Sequence, residues 1–283
     1  MKRLINISTY LLVLLIIVAA CDKIEPPYIE EHGGNGQEDT TVVLRKVLLE
    51  DYTGHRCVNC AGAAQTAHQL QELYEGQLVI MSVHAGQFAE PLPGSIFTAD
   101  YRTEAGNQWD DFFGVQVYPS GMVNRAEYNG DVVLPETKWG QALAAALQPE
   151  ADAEIKISNE FDNGKVASTI TVKFLHEMPD NYALQVCITE DSIVSPQLNN
   201  DENAGEVPVI ENFVFMHMLR GVLNGVWGED IFGSTIQAGK EYSVTYNYNV
   251  AGVPEHSNIV AFVYDQNGKA VIQAEEAPVI QKK

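Results

Sequence analysis

Two cysteines, Cys57 and Cys60, are separated by two residues in the stretch CVNC. Thiol–disulfide exchange needs a reactive thiolate and a second thiol close enough to resolve the mixed disulfide that the first one forms. A C-x-x-C pair at the start of a helix supplies both, because the helix dipole and the free amides of the first turn stabilise the first sulfur as an anion. The preceding His55 and Arg56 would add positive charge. The pair therefore predicts a redox site in which Cys57 is the nucleophile.

Three other uses of this pair are open to a chain with this sequence. As a structural staple it would close a loop of about four residues, which contributes only about 2 kcal/mol in the chain-entropy model. As a metal site it would draw on Cys57, Cys60, His55 and His84, but the sequence has no second C-x-x-C and no H-x₃-H to complete a zinc set. We expect neither a metal nor a cofactor. A redox-silent fold that has kept the cysteines and serves for binding remains the second hypothesis.

The elements around the pair alternate between strand and helix. Residues 42–52 are rich in β-branched and aliphatic side chains, residues 57–75 carry one apolar helical stripe, and residues 78–83 read as a second strand. A strand, a helix and a strand in so short a span predict a βαβ unit with parallel strands. A further helix is predicted from Thr98 as N-cap to a stop at Gly114.

The hydrophobic period changes at about residue 151. From there to residue 283, apolar residues alternate with polar ones in six or seven segments separated by turn signals such as Asn267-Gly268. This pattern predicts an all-β sandwich of immunoglobulin-like architecture. The fold class expected is therefore an α/β domain at 41–150 followed by a β-sandwich domain at 151–283.

The amino terminus reads as an export signal. Residues 1–20 combine a basic start with a short apolar run, and they end in Val-Ala-Ala directly before Cys21. This resembles the bacterial lipobox, in which the cysteine after the cleavage site carries acyl chains; an ordinary cleavage site followed by a chance cysteine is the alternative. Residues 21–40 read as a flexible tether. Their charged start also resembles the signals that send lipoproteins of Bacteroidetes-type bacteria to the cell surface, although a solvated tether explains the same residues.

Charge restricts the partners of the protein. The chain has 38 acidic and 17 basic side chains, a formal net charge of -21. Such a charge repels phosphate backbones and anionic headgroups, so nucleic acid and an electrostatically held membrane are excluded as expected partners. Acyl chains anchor through buried CH₂ groups at about 0.8 kcal/mol each, so a lipid on Cys21 could still hold an acidic protein on a membrane.

The redox motif resembles that of the thioredoxin superfamily. Asp51 lies six positions before Cys57, where the family places a buried carboxylate, and Tyr118-Pro119 lies where it places a cis-proline. The resemblance implies that Cys57 attacks, Cys60 resolves, Asp51 assists proton transfer and Pro119 lines a groove for a substrate strand. The residues between the cysteines, and Arg56 before them, depart from the family pattern and leave the redox potential open.

A second resemblance spans both predicted domains. Residues 52–60, 118–121 and 220–228 resemble the Omp28 family of outer-membrane lipoproteins of Bacteroidetes-type bacteria. It implies a lipid-anchored outer-membrane protein, on the periplasmic or the cell-surface face. Our first functional hypothesis is thiol–disulfide exchange on exported proteins. The second is an accessory binding protein for a polymer, a host molecule or an outer-membrane partner protein.

Three remaining features receive weaker interpretations. Cys187 is expected to be a partly covered free thiol, because it shares a predicted strand face with Gln185 and Thr189. His84 is either turned towards the redox site or held as a hydrogen-bonded structural histidine. The spacing of Asn199, Asp201 and Asn203 resembles that of a calcium-binding loop, but the glycine comes one position late for that motif. We therefore expect a solvated loop.

Overall fold

The computed structural model describes residues 42–179, 181–233 and 236–281. The predicted signal peptide at 1–20, the predicted lipid-bearing Cys21 and the predicted tether at 21–40 lie outside these residues. None of the helices in the described ranges is both long enough and apolar enough to cross a membrane.

The α-helices of the described part all lie before residue 150, and two of them have ten residues or more. The longest begins at the second cysteine of the C-x-x-C pair, three residues into the stretch 57–75 that the sequence predicts as a helix. The α-helices are α1 (Cys60–Leu73), α2 (Gly86–Ala89), α3 (Glu104–Phe113) and α4 (Trp139–Ala146). Short 3₁₀ segments occupy Glu136–Lys138 and Pro254–His256.

Helix α3 begins later than the sequence predicts. Its N-cap is Thr103, whose hydroxyl oxygen accepts a 2.9 Å hydrogen bond from the Gly106 amide, and Thr98 is exposed outside the helix. Residues between these two threonines instead place Tyr101 against two buried histidines. The prediction failed because both threonines are suitable caps, and a tertiary contact chose between them.

The cap at Thr103 gives a simple stability prediction. Thr103→Ala removes the acceptor for the Gly106 amide, so we expect a loss of about 1 kcal/mol in the free energy of unfolding. Thr98→Ala is the matched control and should leave the stability unchanged. Urea denaturation followed by circular dichroism measures both; equal losses in the two variants would contradict the assignment of the cap.

Strands are the most common type of secondary structure among the described residues. In chain order they are β1 (Val47–Thr53), β2 (Leu78–His84), β3 (Ser120–Val123), β4 (Ala153–Asp162), β5 (Lys165–Phe174), β6 (Tyr182–Glu190), β7 (Ile193–Leu198), β8 (Val209–Phe215), β9 (Met218–Val222), β10 (Glu241–Asn249), β11 (Ser257–Asp265) and β12 (Val271–Pro278).

One seven-stranded sheet joins the two segments that the sequence analysis treated as separate domains. Its order is β12-β11-β6-β9-β2-β1-β3. β1 and β2 are parallel, as the βαβ pattern predicts, and β3 is antiparallel to β1. The link across residue 150 is made by β9, which is parallel to β2 at Ser82 and Met218 and antiparallel to β6. The fold is thus mixed α/β, with one large mixed sheet.

The remaining strands form two smaller sheets, β10-β5-β4 and the hairpin β7-β8. The three-stranded sheet packs over β6 and β11, with Ile170 and Phe174 facing Val186 and Ile259 in one apolar cluster. The opposite face of β6 and β11 belongs to a second cluster that contains Trp109 of α3. Strands β6 and β11 are therefore covered on both faces.

This double coverage corrects the expectation for Cys187. Its side chain is fully buried, as are its neighbours Gln185 and Thr189 on β6. The alternating pattern suggested one solvated face, but this face is buried: Gln185 donates hydrogen bonds to the Asn224 side chain and to the Gly225 carbonyl, and the Thr189 hydroxyl has no partner among the described residues. Burial raises the pKa of the Cys187 thiol well above its usual range, so this cysteine is an inert core residue.

Candidate functional site

The C-x-x-C pair lies in the turn between β1 and α1. The Cys57 amide donates to the Gly54 carbonyl at 2.9 Å, and α1 begins at Cys60. The two sulfurs are joined in a disulfide, with 5.4 Å between the Cα atoms. Cys57 stands two residues before the N-cap Asn59, so the cysteine turn leads into the helix N-terminus, where free amides and the helix dipole favour negative charge.

Gly54 fixes this turn against the rest of the structure. A Cβ atom at Gly54 would lie 2.5 Å from the carbonyl carbon of Phe88, in the helix α2. The Arg56 amide donates to the Phe88 carbonyl at 3.0 Å. Backbone therefore packs on backbone at this point, and a side chain at position 54 would push the cysteine turn away from α2.

Pro119 follows a cis peptide bond and comes directly before β3. The register pairs Ser120 with Tyr52, and one further step places Pro119 beside Thr53, at the end of β1. Pro119 is half-buried. The structure thus brings the proline and the cysteine turn to the same end of β1.

Asp51 lies in the middle of this arrangement. It is on β1, paired with Ser82 of β2 and Gly121 of β3, and is only 1% exposed. Its Oδ1 atom has no hydrogen-bond partner among the described residues. Burial raises the pKa of Asp51 to about 7, and the negative charge of Glu136 adds to the rise. The carboxyl is therefore poised to take up or release a proton near neutral pH.

A strand from the far half of the chain covers the cysteine turn. The Gln197 side-chain amide donates to the Cys57 carbonyl at 2.7 Å, the Leu198 amide to the His55 carbonyl at 2.9 Å, and the Asn200 amide to the Val58 carbonyl at 3.0 Å. Gln197 is itself buried, and Cys57 and Cys60 are each only 2% exposed. Both sulfurs are therefore shielded from bulk solvent in this conformation.

We define the segment 197–200, the end of β7 and the residues after it, as the cover. Sequence reasoning did not identify it. Its local pattern is an ordinary amphipathic strand followed by polar residues, and its partners lie about 140 positions away. The calcium-loop spacing in this region has another explanation, because the Asn199 side-chain amide donates to the backbone carbonyls of Asp201, Gly205 and Glu206 and so closes the loop on itself.

A cavity of about 460 Å³ lies between α1, β2 and the β7-β8 hairpin. Asp51, Cys60 and His84 all contribute to its wall, whereas Cys57 is not among the described residues that line it. Apolar side chains make up much of the remaining wall: Ala61, Ala64, Ala67, Ile80, Phe213, Val214, Phe215 and Met216. The cavity is therefore lined by one cysteine of the pair and by the buried Asp51 together.

His84 faces this cavity from the end of β2. Its ring packs edge-on against Tyr101 and Phe215, with centroids 5.5 and 5.2 Å apart. Burial, with smaller contributions from the positive charges that His55 and Arg220 can carry, lowers its pKa to about 3. Neither imidazole nitrogen has a hydrogen-bond partner among the described residues. His84 is thus turned towards the site as a neutral group, and the alternative of a hydrogen-bonded structural histidine is wrong for this conformation.

His55 packs in the same aromatic cluster, stacked on Phe97 at 5.6 Å. Burial, with a smaller contribution from the charge of Arg56, lowers its pKa to about 4. His55 is therefore neutral at pH 7 and does not add the positive charge that the sequence analysis expected beside Cys57. Within the described ranges, no group of three or more histidine, cysteine or acidic side chains is placed to hold a metal ion.

Comparison with known proteins gives a family and a structural likeness. No curated protein matches the chain in a sequence search. Residues 106–283, more than half of the chain, match the family model described as outer membrane protein Omp28. The matched range begins after the C-x-x-C pair.

Two examples represent the solved structures that are similar to this one. A protein from Agrobacterium tumefaciens is 12% identical with a TM-score of 0.51, covering 85% of this chain and 97% of its own. That likeness concerns the fold alone. A domain of the outer membrane lipoprotein Omp28 from Porphyromonas gingivalis is 26% identical with a TM-score of 0.30, covering 46% of this chain and 90% of its own.

Proposed function

This chain belongs to the Omp28 family of outer membrane proteins, and we propose that its Cys57–Cys60 pair carries out thiol–disulfide exchange at the outer membrane. One observation carries the proposal: the disulfide stands at the N-terminus of α1 while Cys60 and the buried Asp51 line the same cavity. A purely structural staple needs neither the helix terminus nor an adjacent carboxyl that titrates near pH 7.

Asp51 supports a catalytic use of the pair. When a disulfide is reduced, the sulfur inside the protein needs a proton, and when the dithiol is oxidised it must lose one. A carboxyl with a pKa of about 7 is present in both protonation states at neutral pH, which is the condition for an efficient proton carrier.

The sequence-based predictions of two domain folds, a lipid anchor and exchange partners are proposals that fit this function. The order of β1, α1, β2 and β3, with Pro119 beside the end of β1, supports a thioredoxin-like unit in residues 41–150. The three-stranded sheet over β6 and β11 supports an immunoglobulin-like sandwich in 151–283. We further propose attachment through a lipid on Cys21, and protein thiols or disulfides as exchange partners.

A redox titration tests the exchange. The full chain is equilibrated in glutathione buffers of increasing oxidised fraction, quenched with an alkylating agent and analysed by mass spectrometry after digestion. We expect one two-electron transition confined to the peptide that holds Cys57 and Cys60, while Cys187 stays reduced. A pair that remains oxidised in every buffer until the protein unfolds would contradict the proposal and leave a staple.

A second candidate function is a binding or accessory role in which the pair is redox-silent. The observation that favours it is the cover, which leaves each sulfur only 2% exposed. Under this alternative, a Cys57→Ala/Cys60→Ala double variant keeps any stoichiometric partner that co-purifies with the wild-type protein from outer membranes. Loss of that partner on removal of the cysteines favours exchange instead.

A further inference from the structure

Cys57 and Cys60 are equally little exposed, at 2% each, but only Cys60 lines the cavity. The backbone of the cysteine turn is hydrogen-bonded to Gln197, Leu198 and Asn200, so a loop of another folded protein has no path to Cys57 while the cover is in place. Cys60 lines the cavity beside α1. We propose that low-molecular-weight aliphatic thiols enter this cavity and react at Cys60 with the cover closed. The inference rests on the exchange function proposed above and specifies its substrate class.

The dimensions and wall of the cavity fit such a substrate. A volume of about 460 Å³ is in the range of small-molecule sites. The wall is mainly apolar, and the two buried polar side chains aimed into it, Asp51 and His84, have atoms without described partners. A compact thiol could satisfy these atoms through a hydroxyl or an amino group. The formal charge of -21 disfavours the approach of anionic thiols, so neutral and cationic thiols are preferred.

The chemistry balances with the thiol as the reductant. In the first step the thiol passes its proton to Asp51, its sulfur bonds to Cys60, the Cys57–Cys60 bond breaks, and Cys57 leaves as a thiolate. A second thiol, deprotonated by solvent, attacks the small-molecule sulfur of the mixed disulfide. Cys60 then leaves and takes the proton from Asp51, while Cys57 is protonated from solvent. Two thiols become one small disulfide, and the protein disulfide becomes a dithiol.

The position of the helix terminus explains why Cys60 is the sulfur under attack. Exchange is faster when the departing thiolate is the more stable one. Cys57, ahead of the first turn of α1, has the helix N-terminus to stabilise it as a leaving group. This assigns to Cys57 the role of leaving group towards small thiols, the reverse of the nucleophilic role that the sequence analysis expects towards proteins.

Blocking the cavity mouth tests the proposal. Gln65 and His68 are exposed residues of α1 that line the cavity, whereas Gln69 is exposed on the same helix but does not line it. Gln65→Trp and His68→Trp should each slow reduction of the pair by cysteamine about tenfold, equivalent to about 1.4 kcal/mol in activation free energy. Gln69→Trp should react at the wild-type rate. Stopped reactions are alkylated and quantified by mass spectrometry, and circular dichroism verifies folding.

Single-cysteine variants give an independent readout. With cystamine as the disulfide, we expect Cys60 in Cys57→Ser to form the mixed disulfide at least about tenfold faster than Cys57 in Cys60→Ser, since a tenfold ratio needs only about 1.4 kcal/mol. Peptide mapping separates these adducts from any at Cys21. Equal rates, or a faster Cys57, would overturn the proposal.

The failure of this inference can be told apart from the failure of the proposed function. If reduced thioredoxin, used as a protein dithiol, reduces the pair readily while cysteamine does so slowly and the tryptophan variants have no effect, the small-thiol route is wrong and the exchange function stands. If neither reagent reduces the pair in the folded protein, both proposals are wrong. The small-thiol route is supported if Gln65→Trp and His68→Trp slow reduction of the pair by cysteamine and Gln69→Trp does not.

Discussion

Asp51→Asn is expected to slow reduction of the Cys57–Cys60 disulfide by about a hundredfold at pH 8, the lower end of the range for loss of a positioned acid or base. Asparagine keeps the shape of the side chain but cannot accept the proton of the incoming thiol. In the wild-type protein the reduction rate should rise with pH through a midpoint near the Asp51 pKa of about 7. Above that midpoint, the pH dependence of the rate should follow the ionisation of the thiol reagent alone. The variant should lack that midpoint.

Glu136→Gln is the matched control for this prediction. The charge of Glu136 contributes to the raised pKa of Asp51, so its removal should move the midpoint to lower pH. The reduction rate above the midpoint should not change. Pre-steady-state rates measured from pH 5 to pH 9 distinguish the two variants. A midpoint that survives in Asp51→Asn would assign the titration to another group.

Asp51→Asn should also change the free energy of unfolding, and the direction of the change follows from the pKa of Asp51. Folding raises the pKa of Asp51 from 3.8 to about 7, so well below pH 4 the carboxyl is protonated in both states and its ionisation does not affect stability. Between about pH 4 and pH 7 the unfolded chain loses this proton before the folded chain does, so the stability falls across this window by up to about 4 kcal/mol and is constant above it. Asp51→Asn should therefore stabilise the protein at pH 8 more than at pH 4, as urea denaturation at the two pH values can measure.

The second large effect concerns Arg125, which holds the strand that carries Asp51. Its guanidinium donates two 2.7 Å hydrogen bonds to Glu50 on β1, and both side chains are buried. The rings of Trp109 and Phe262 lie 4.9 and 5.0 Å from the same guanidinium. Arg125→Met should destabilise the fold by about 3 to 5 kcal/mol, because it leaves Glu50 as an uncompensated charge in the core.

A double variant separates the effect of the uncompensated Glu50 charge from the effect of losing the packing of Arg125. Glu50→Leu combined with Arg125→Met removes both charges, and replacing a buried ion pair by apolar groups is often nearly neutral. We therefore expect the double variant to be more stable than Arg125→Met alone in urea denaturation. If both are equally unstable, the cation–π contacts of Arg125 and not the ion pair account for the loss.

Several parts of the fold and site follow from short stretches of sequence. The C-x-x-C pair at the start of a helix, the parallel pairing of β1 with β2, and a buried strand before the pair all depend on patterns within about thirty residues. The charge balance excluded nucleic acid as a partner, and the family resemblance indicated an outer-membrane protein. These inferences succeed because local propensity and hydrophobic period act on neighbouring residues and need no knowledge of distant partners.

The limits of sequence reasoning are clearest at three residues. Gln197 covers the cysteine turn across about 140 positions, Arg125 reaches Glu50 across 75, and Cys187 is buried on a strand whose pattern suggested a solvated face. In each case the decisive partner belongs to a different element. Which partner is chosen depends on the total burial and hydrogen bonding of the whole sheet, so no local pattern carries it.

The sequence by itself determined that two cysteines stand together before a helix, with an acid six positions earlier and a family resemblance that points to the outer membrane. Only the tertiary structure decided that strands from both halves share one sheet, that a distant strand shields both sulfurs, and that a cavity reaches Cys60 and Asp51 together. The physical reason is that reactivity at a thiol depends on access and on the local field. Both are properties of the packed surroundings and not of the motif.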